Sequence, residues 1–227
     1  TKKNNGISHF LEHMFFKGTK KRPTALILSE TLDRVGGEFN AFTGKEVTGF
    51  YVKVDAKHSE LALDVIADIL LNSKFSAAEI NKEKGVIIEE INSKQDMPIR
   101  QVSDLFEELL YGDQPAGWEI LGTKESVPTL NRSDFISYFN NYYLANNAVL
   151  CISGAVAKNI KNKVSHSFSA LKKSQLKSKE QVLEKQISPQ FLYNQKKTDQ
   201  AHLCLGVRAY GLFHPARYAL KILRVIL

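Results

Sequence analysis

Apolar residues recur at helical spacing over His58 to Leu71, Ser76 to about Lys94, Ile99 to Leu110 and Arg132 to Tyr142, predicting amphipathic helices there. An earlier helix starts near Pro23-Thr24 and stops at Gly36-Gly37, where glycine suits the end of the last turn. The spacing then changes. Phe39 to Thr43, Gly44-Lys45 and Val47 to Val54 form β-rich runs around a Gly-containing turn, the pattern of a hairpin. Downstream, the apolar run Ala148 to Ser153 predicts a strand and Ala157 to about Leu171 a helix. Beyond a Lys-rich stretch, a second unit opens with Phe191-Leu192-Tyr193, a strand over Ala201 to Val207 and a helix from about Pro215 to Leu227. Helices mixed with these strands predict an α+β layer. Tyr111 to Lys124, with Gly112, Pro115, Gly117 and Gly122, reads as a long loop that borders a cleft.

Composition changes this picture little. With 227 residues and 43% hydrophobic content, the chain is long enough for one large domain or a domain and a half. No apolar run reaches the length of a membrane span, and no cleavable signal opens the chain. Cys151 and Cys204 sit in strand-like apolar runs and read as buried thiols of a reducing compartment. Much of the net charge of +7 falls between Lys158 and Lys185, a solvated helix end and linker. That stretch lacks interleaved aromatic residues and any nucleic-acid motif, so nucleic acid is not an expected partner.

The chemistry lies near the start. His9-Phe10-Leu11-Glu12-His13 puts two imidazoles four residues apart, and on a helix four residues advance about 400°, nearly one face. Glu12 shares the same wedge. Two neutral imidazoles suit a zinc ion, and an adjacent carboxylate suits a general base for water, the inverted zincin arrangement. The same residues also fit a buried helix whose histidines merely satisfy nearby acceptors.

Catalytic zinc sites take three protein ligands and keep a position for water, so one further ligand is expected. Ser76-Ala77-Ala78-Glu79 reads as a capping box opening the helix that carries Glu83, Val86, Ile87, Glu90 and Ile91. Glu83 and Glu90 lie two turns apart on one partly apolar face, whereas Glu89 falls with Lys82, Asn92 and Ser93 on a solvated side. A carboxylate on an apolar face needs a partner, either a metal or a basic side chain.

The chain resembles the pitrilysin-type (M16) zinc peptidases, most closely the β-subunit of the mitochondrial processing peptidase and its bacterial relatives. The resemblance is carried by Gly6 to Thr19 around the His-x-x-Glu-His run, by Gly36-Gly37-Glu38-Phe39-Asn40-Ala41-Phe42-Thr43 and by Glu83 to Ile91. It continues in order through Leu121-Gly122 and Tyr142-Tyr143 to the far end. It implies that His9, His13 and Glu90 bind one zinc, that Glu12 is the catalytic base and that Glu83 supports the ligands. The segment between Lys20 and Gly36 is one residue longer than the family pattern, so Glu90 over Glu89 depends on local register, which the helical-face argument favours.

The implied fold is a LuxS/metallohydrolase-like two-layer α+β domain, an antiparallel-rich mixed sheet covered by helices, over 1–184. The start of a second, non-catalytic repeat follows over 185–227, and both ends read as cut, the first strand being absent. The implied activity is zinc-dependent endoproteolysis of peptides or unfolded polypeptide, presequences included, although a basic chain argues against basic presequences. An extended substrate would pair with the first hairpin strand at Asn40, Ala41 and Phe42; an ordinary core-packed hairpin fits that segment equally well. A homodimer or a heterodimer with a related subunit is implied, in the bacterial cytoplasm or the mitochondrial matrix. A non-catalytic partner subunit is the alternative.

Overall fold

The computed structural model of the chain describes residues 1–226. Its elements run α1 (Ile7–Phe15), α2 (Ala25–Asp33), β1 (Glu38–Thr43), β2 (Thr48–Lys53), α3 (Ser59–Asn72), α4 (Ala77–Gln95), α5 (Pro98–Tyr111), α6 (Ser126–Thr129), α7 (Arg132–Tyr142), α8 (Ile160–Ser167) and α9 (Arg217–Ile226). Among the described residues no helix is long and apolar enough to cross a membrane.

The core is built around α1. Ile7, Phe10, Leu11, Met14 and Phe15 point inward and meet Leu28 of α2, Ile69 of α3, Ile80, Ile87 and Ile91 of α4, and Phe135 of α7. Phe10 meets Phe135 edge-on at 4.8 Å between centroids, and Phe15 meets Phe50 of β2 at 4.9 Å. Each such fully buried side chain contributes roughly 1.5–3 kcal/mol, so α1 is held by its apolar stripe rather than by its own nine residues of hydrogen bonding. Buried apolar side chains end at Leu144.

The start of α1 is fixed by two glycines. Gly6, its N-cap, has φ +89°, and a Cβ there would lie 2.6 Å from the carbonyl oxygen of Leu121 and 2.8 Å from Gly122 Cα. Gly122, at φ +82°, is crowded in turn by Asn5 and Gly6. The long loop therefore crosses the helix start at backbone contact, with Ser126 Oγ donating to the Asn5 carbonyl at 2.9 Å.

Thr24 caps α2 by accepting from the Ile27 amide, and Asn131 and Asp134 form a reciprocal capping box on α7. β1 and β2 pair antiparallel with Glu38 opposite Lys53 and Thr43 opposite Thr48.

Several expectations are corrected. The fold is α+β, but among the described residues its sheet is this two-stranded hairpin alone. The runs Ala148–Ser153 and Ala201–Val207 form no ladder, and Val149 and Leu203 are 96% and 85% exposed. Apolar alternation marks the faces a strand would bury, whereas a strand exists only where a neighbour completes its backbone hydrogen bonds. Cys151 is accordingly exposed and Cys204 half-buried. The helix expected over Ala157 to Leu171 is shorter, Ile160–Ser167. Ser76 stands at the N-cap of α4 without a side-chain capping bond, and the Glu79 carboxylate pairs with Lys82 at 2.8 Å rather than completing a capping box. Val86 is half exposed rather than partly buried.

Candidate active site

α1 turns its apolar stripe to the core, and the remaining wedge presents His9, Glu12 and His13 toward α4 and the hairpin. The buried stripe of α4, Ile80, Glu83, Ile87 and Ile91, brings its carboxylates alongside. His9 Nε2 and His13 Nε2 stand 3.3 Å apart, and Glu90 Oε2 lies 3.7 Å from each. Donors about 2.0–2.1 Å from a tetrahedral zinc are spaced roughly 3.4 Å apart, so these three atoms fit that ion closely. Glu89 points elsewhere: it is exposed and accepts from Asn92.

Glu83 is buried and bridges two donors. Its Oε1 is 2.9 Å from His13 Nδ1 and its Oε2 is 2.6 Å from Lys17 Nζ. A carboxylate beside an ammonium only accepts, so Nδ1 of His13 carries the ring proton and Nε2 presents a lone pair. His9 is kept neutral by another route. Burial first, then the neighbouring His13, lowers its pKa to about 4. Its Nδ1 is buried without a hydrogen-bond partner. A neutral ring whose Nε2 faces His13 and Glu90 suits metal binding, and the unpartnered Nδ1 makes it a poor structural histidine, which would satisfy both nitrogens.

Glu12 is half-buried, and Thr43 Oγ1 donates a short hydrogen bond to its Oε2. Burial raises its pKa above the usual carboxylate range, against the opposing pull of the Thr43 hydroxyl and His13. A carboxyl tuned upward is suited to taking a proton and giving it back. Behind it, Tyr143 is half-buried with its hydroxyl turned inward, and burial pushes its ionisation upward against the opposing pull of the Thr48 hydroxyl.

Of the expected substrate contacts, Asn40 and Phe42 are exposed and Ala41 is half-buried on β1, a strand with one free edge. The Ala41 amide donates to Asn40 Oδ1 at 2.8 Å, and Phe42 lies across Gly49, its cross-strand partner. The side chains that sequence reading passed over are Lys17, Ser8, Thr43 and Thr48. The threonines reach the site through hairpin register, which the sequence pattern does not fix, and Lys17 lies beyond the end of α1, where helical spacing says nothing.

Residues 1–124 match the family model described as Insulinase (Peptidase family M16), and residues 129–227 match Peptidase M16 inactive domain. The chain is 40% identical over 98% of its length to the uncharacterized zinc protease YmxG of Bacillus subtilis, covering 54% of that protein. It is 34% identical over 98% of its length to the uncharacterized zinc protease ML0855 of Mycobacterium leprae, covering 51% of it. The chain thus spans about half the length of these curated relatives. A protease from Helicobacter pylori superposes with a TM-score of 0.73 at 24% identity, covering 81% of this chain and 44% of that one, a likeness of fold.

Proposed function

The chain belongs to peptidase family M16, and from that premise we propose that it carries the metal-binding, base-bearing half of a zinc metalloendopeptidase. The observation that supports this reading is the convergence of His9 Nε2, His13 Nε2 and Glu90 Oε2 within 3.7 Å of one another, from two helices more than sixty positions apart. His9, His13 and Glu90 would hold one zinc, with Glu83 fixing the ring of His13. Zinc bound there supplies a Lewis acid that polarises the scissile carbonyl and brings a water's pKa toward neutrality.

The protein's own residues do the rest. Glu12 accepts the proton of the attacking water and returns it to the departing amine, so no covalent intermediate is required. The free edge of β1 takes an extended substrate by backbone pairing at Asn40 and Ala41, with Phe42 as an exposed apolar contact. Asn40 Oδ1, which now occupies the Ala41 amide, must give way to a substrate carbonyl. Peptides and unfolded segments are the substrates an open strand edge selects, because folded proteins rarely offer one.

We infer that a second, non-catalytic unit occupies 185–227 beyond the Lys-rich stretch, although the inactive-domain match begins earlier, at residue 129. Pairing with a second copy or a related subunit would complete the cleft. The relatives above are bacterial, which favours a bacterial cytoplasmic setting over a mitochondrial one.

The test is digestion of an unstructured peptide by the full natural protein with and without a chelator, the products read by mass spectrometry. Chelation is expected to abolish cleavage and added zinc to restore it. Glu12→Gln should keep one zinc per chain while cleavage falls below detection; full activity in that variant refutes the assignment. A non-catalytic partner subunit would show no chelator-sensitive products in either form.

A further inference from the structure

Glu12 does not stand alone on α1. Ser8 lies one helical turn before it on the same face, and the two face the closing pair of the hairpin, Thr43 opposite Thr48. Ser8 Oγ is 3.1 Å from Thr48 Oγ1, Thr48 Oγ1 is 3.4 Å from Thr43 Oγ1, and Thr43 Oγ1 donates to Glu12 Oε2. A hydroxyl has one proton to give, and an ionised carboxylate accepts only, so the Thr43 proton is committed to Glu12. The Thr43 oxygen is then left to accept from Thr48, and Thr48 from Ser8. The row of hydroxyls is directed toward the carboxylate, and each bond polarises the next.

From this arrangement we propose that Thr43 is a positioning residue, which fixes the Glu12 carboxylate through Oε2 and leaves Oε1 to take the proton from water. The proposal rests on reading Glu12 as the base. Thr43 reaches Oε2 and not Oε1, so the two oxygens of Glu12 are distinguished by the hairpin before any substrate arrives. The turn that sets this geometry is short: the Gly44 amide donates to the Val47 carbonyl at 2.7 Å, which pins Thr43 and Thr48 face to face. The strand offered to substrate therefore ends in the residue that aims the base. Substrate pairing along β1 and orientation of Glu12 share one rigid hairpin.

The experiment compares Thr43→Val, Thr43→Ser and Glu12→Gln in the zinc-loaded full protein, measuring kcat, KM and zinc stoichiometry and determining a crystal structure of each Thr43 variant. Valine keeps the shape and removes the donor. Loss of a hydrogen bond to a charged group, with the carboxylate free to rotate, is expected to lower kcat about 10- to 100-fold. KM and zinc content should stay unchanged, Glu12 should be displaced in the valine structure, and Thr43→Ser should recover most of the rate. Wild-type kcat in Thr43→Val beside an inactive Glu12→Gln overturns the proposal and leaves the base assignment standing. Loss of zinc, or equal loss in the serine and valine variants, also overturns it, since the threonine would then be structural. An active Glu12→Gln overturns the base assignment itself and this proposal with it.

Discussion

Glu83 is the residue on which the others lean. Buried between His13 Nδ1 and Lys17 Nζ, it sets the tautomer of a candidate ligand and pairs with an ammonium 2.6 Å away. Glu83→Gln preserves size but offers one acceptor oxygen to two donors and strands Lys17. Zinc affinity should fall about 10- to 100-fold, read by competition with a chromogenic chelator, while Glu89→Gln on the exposed side should leave it unchanged. Equal effects from the two variants would contradict the register that chooses Glu90. At this scale the sequence was informative where spacing is local. His9, Glu12 and His13 follow from one turn of helix, and Glu83 and Glu90 from two. Thr43, Thr48 and Lys17 were not readable as site residues, because their partners depend on a hairpin register and a chain reversal rather than on a helical period.

Among the elements, α1 carries most of the site, and its placement depends on backbone contact as much as on its buried stripe. Gly122→Ala forces a side chain to within 2.8 Å of the Asn5 carbonyl at φ +82°, and the two nearest atoms, on Asn5 and Gly6, are backbone that cannot rotate away. Strain and displacement together should cost about 1–3 kcal/mol in urea unfolding. Because the loop bears on the first turn of α1, His9 should lose zinc affinity at the same time. Gly112→Ala, also at positive φ but with open space around it, should cost stability without touching zinc. The helices α3, α4 and α7 matched their periodicities because each buries apolar side chains in one core, whereas α5 matched its expected span without burying a residue. Ala148–Ser153 and Ala201–Val207 show where periodicity stops being sufficient: the pattern of a strand was present, and the neighbouring strand was not.

For the molecule as a whole, the candidate ligands join the chain's first long helix to its longest one. α1 and α4 are already packed together, with Phe10, Leu11, Ile87 and Ile91 in one buried cluster, so the cleft is largely formed before any ion enters and the ordering cost of binding is small. An ion that binds only the folded arrangement stabilises it by RT ln(1 + [L]/Kd), about 2.7 kcal/mol at free zinc one hundredfold above Kd. For a chain of this size that corresponds to a rise of roughly 5–10 °C in the thermal midpoint. Scanning calorimetry should show the rise on adding zinc and its reversal by chelator. His9→Ala and Glu90→Ala should abolish the shift; Glu90→Ala should keep the metal-free midpoint near that of the parent, as its side chain is half exposed, whereas His9→Ala should lower it because His9 is buried. A shift that persists in both variants would place the stabilising ion elsewhere, for instance on Asp64 and Asp68. Those two carboxylates are already engaged by Arg22 at 2.5 and 2.7 Å, so a second cation has little to gain there.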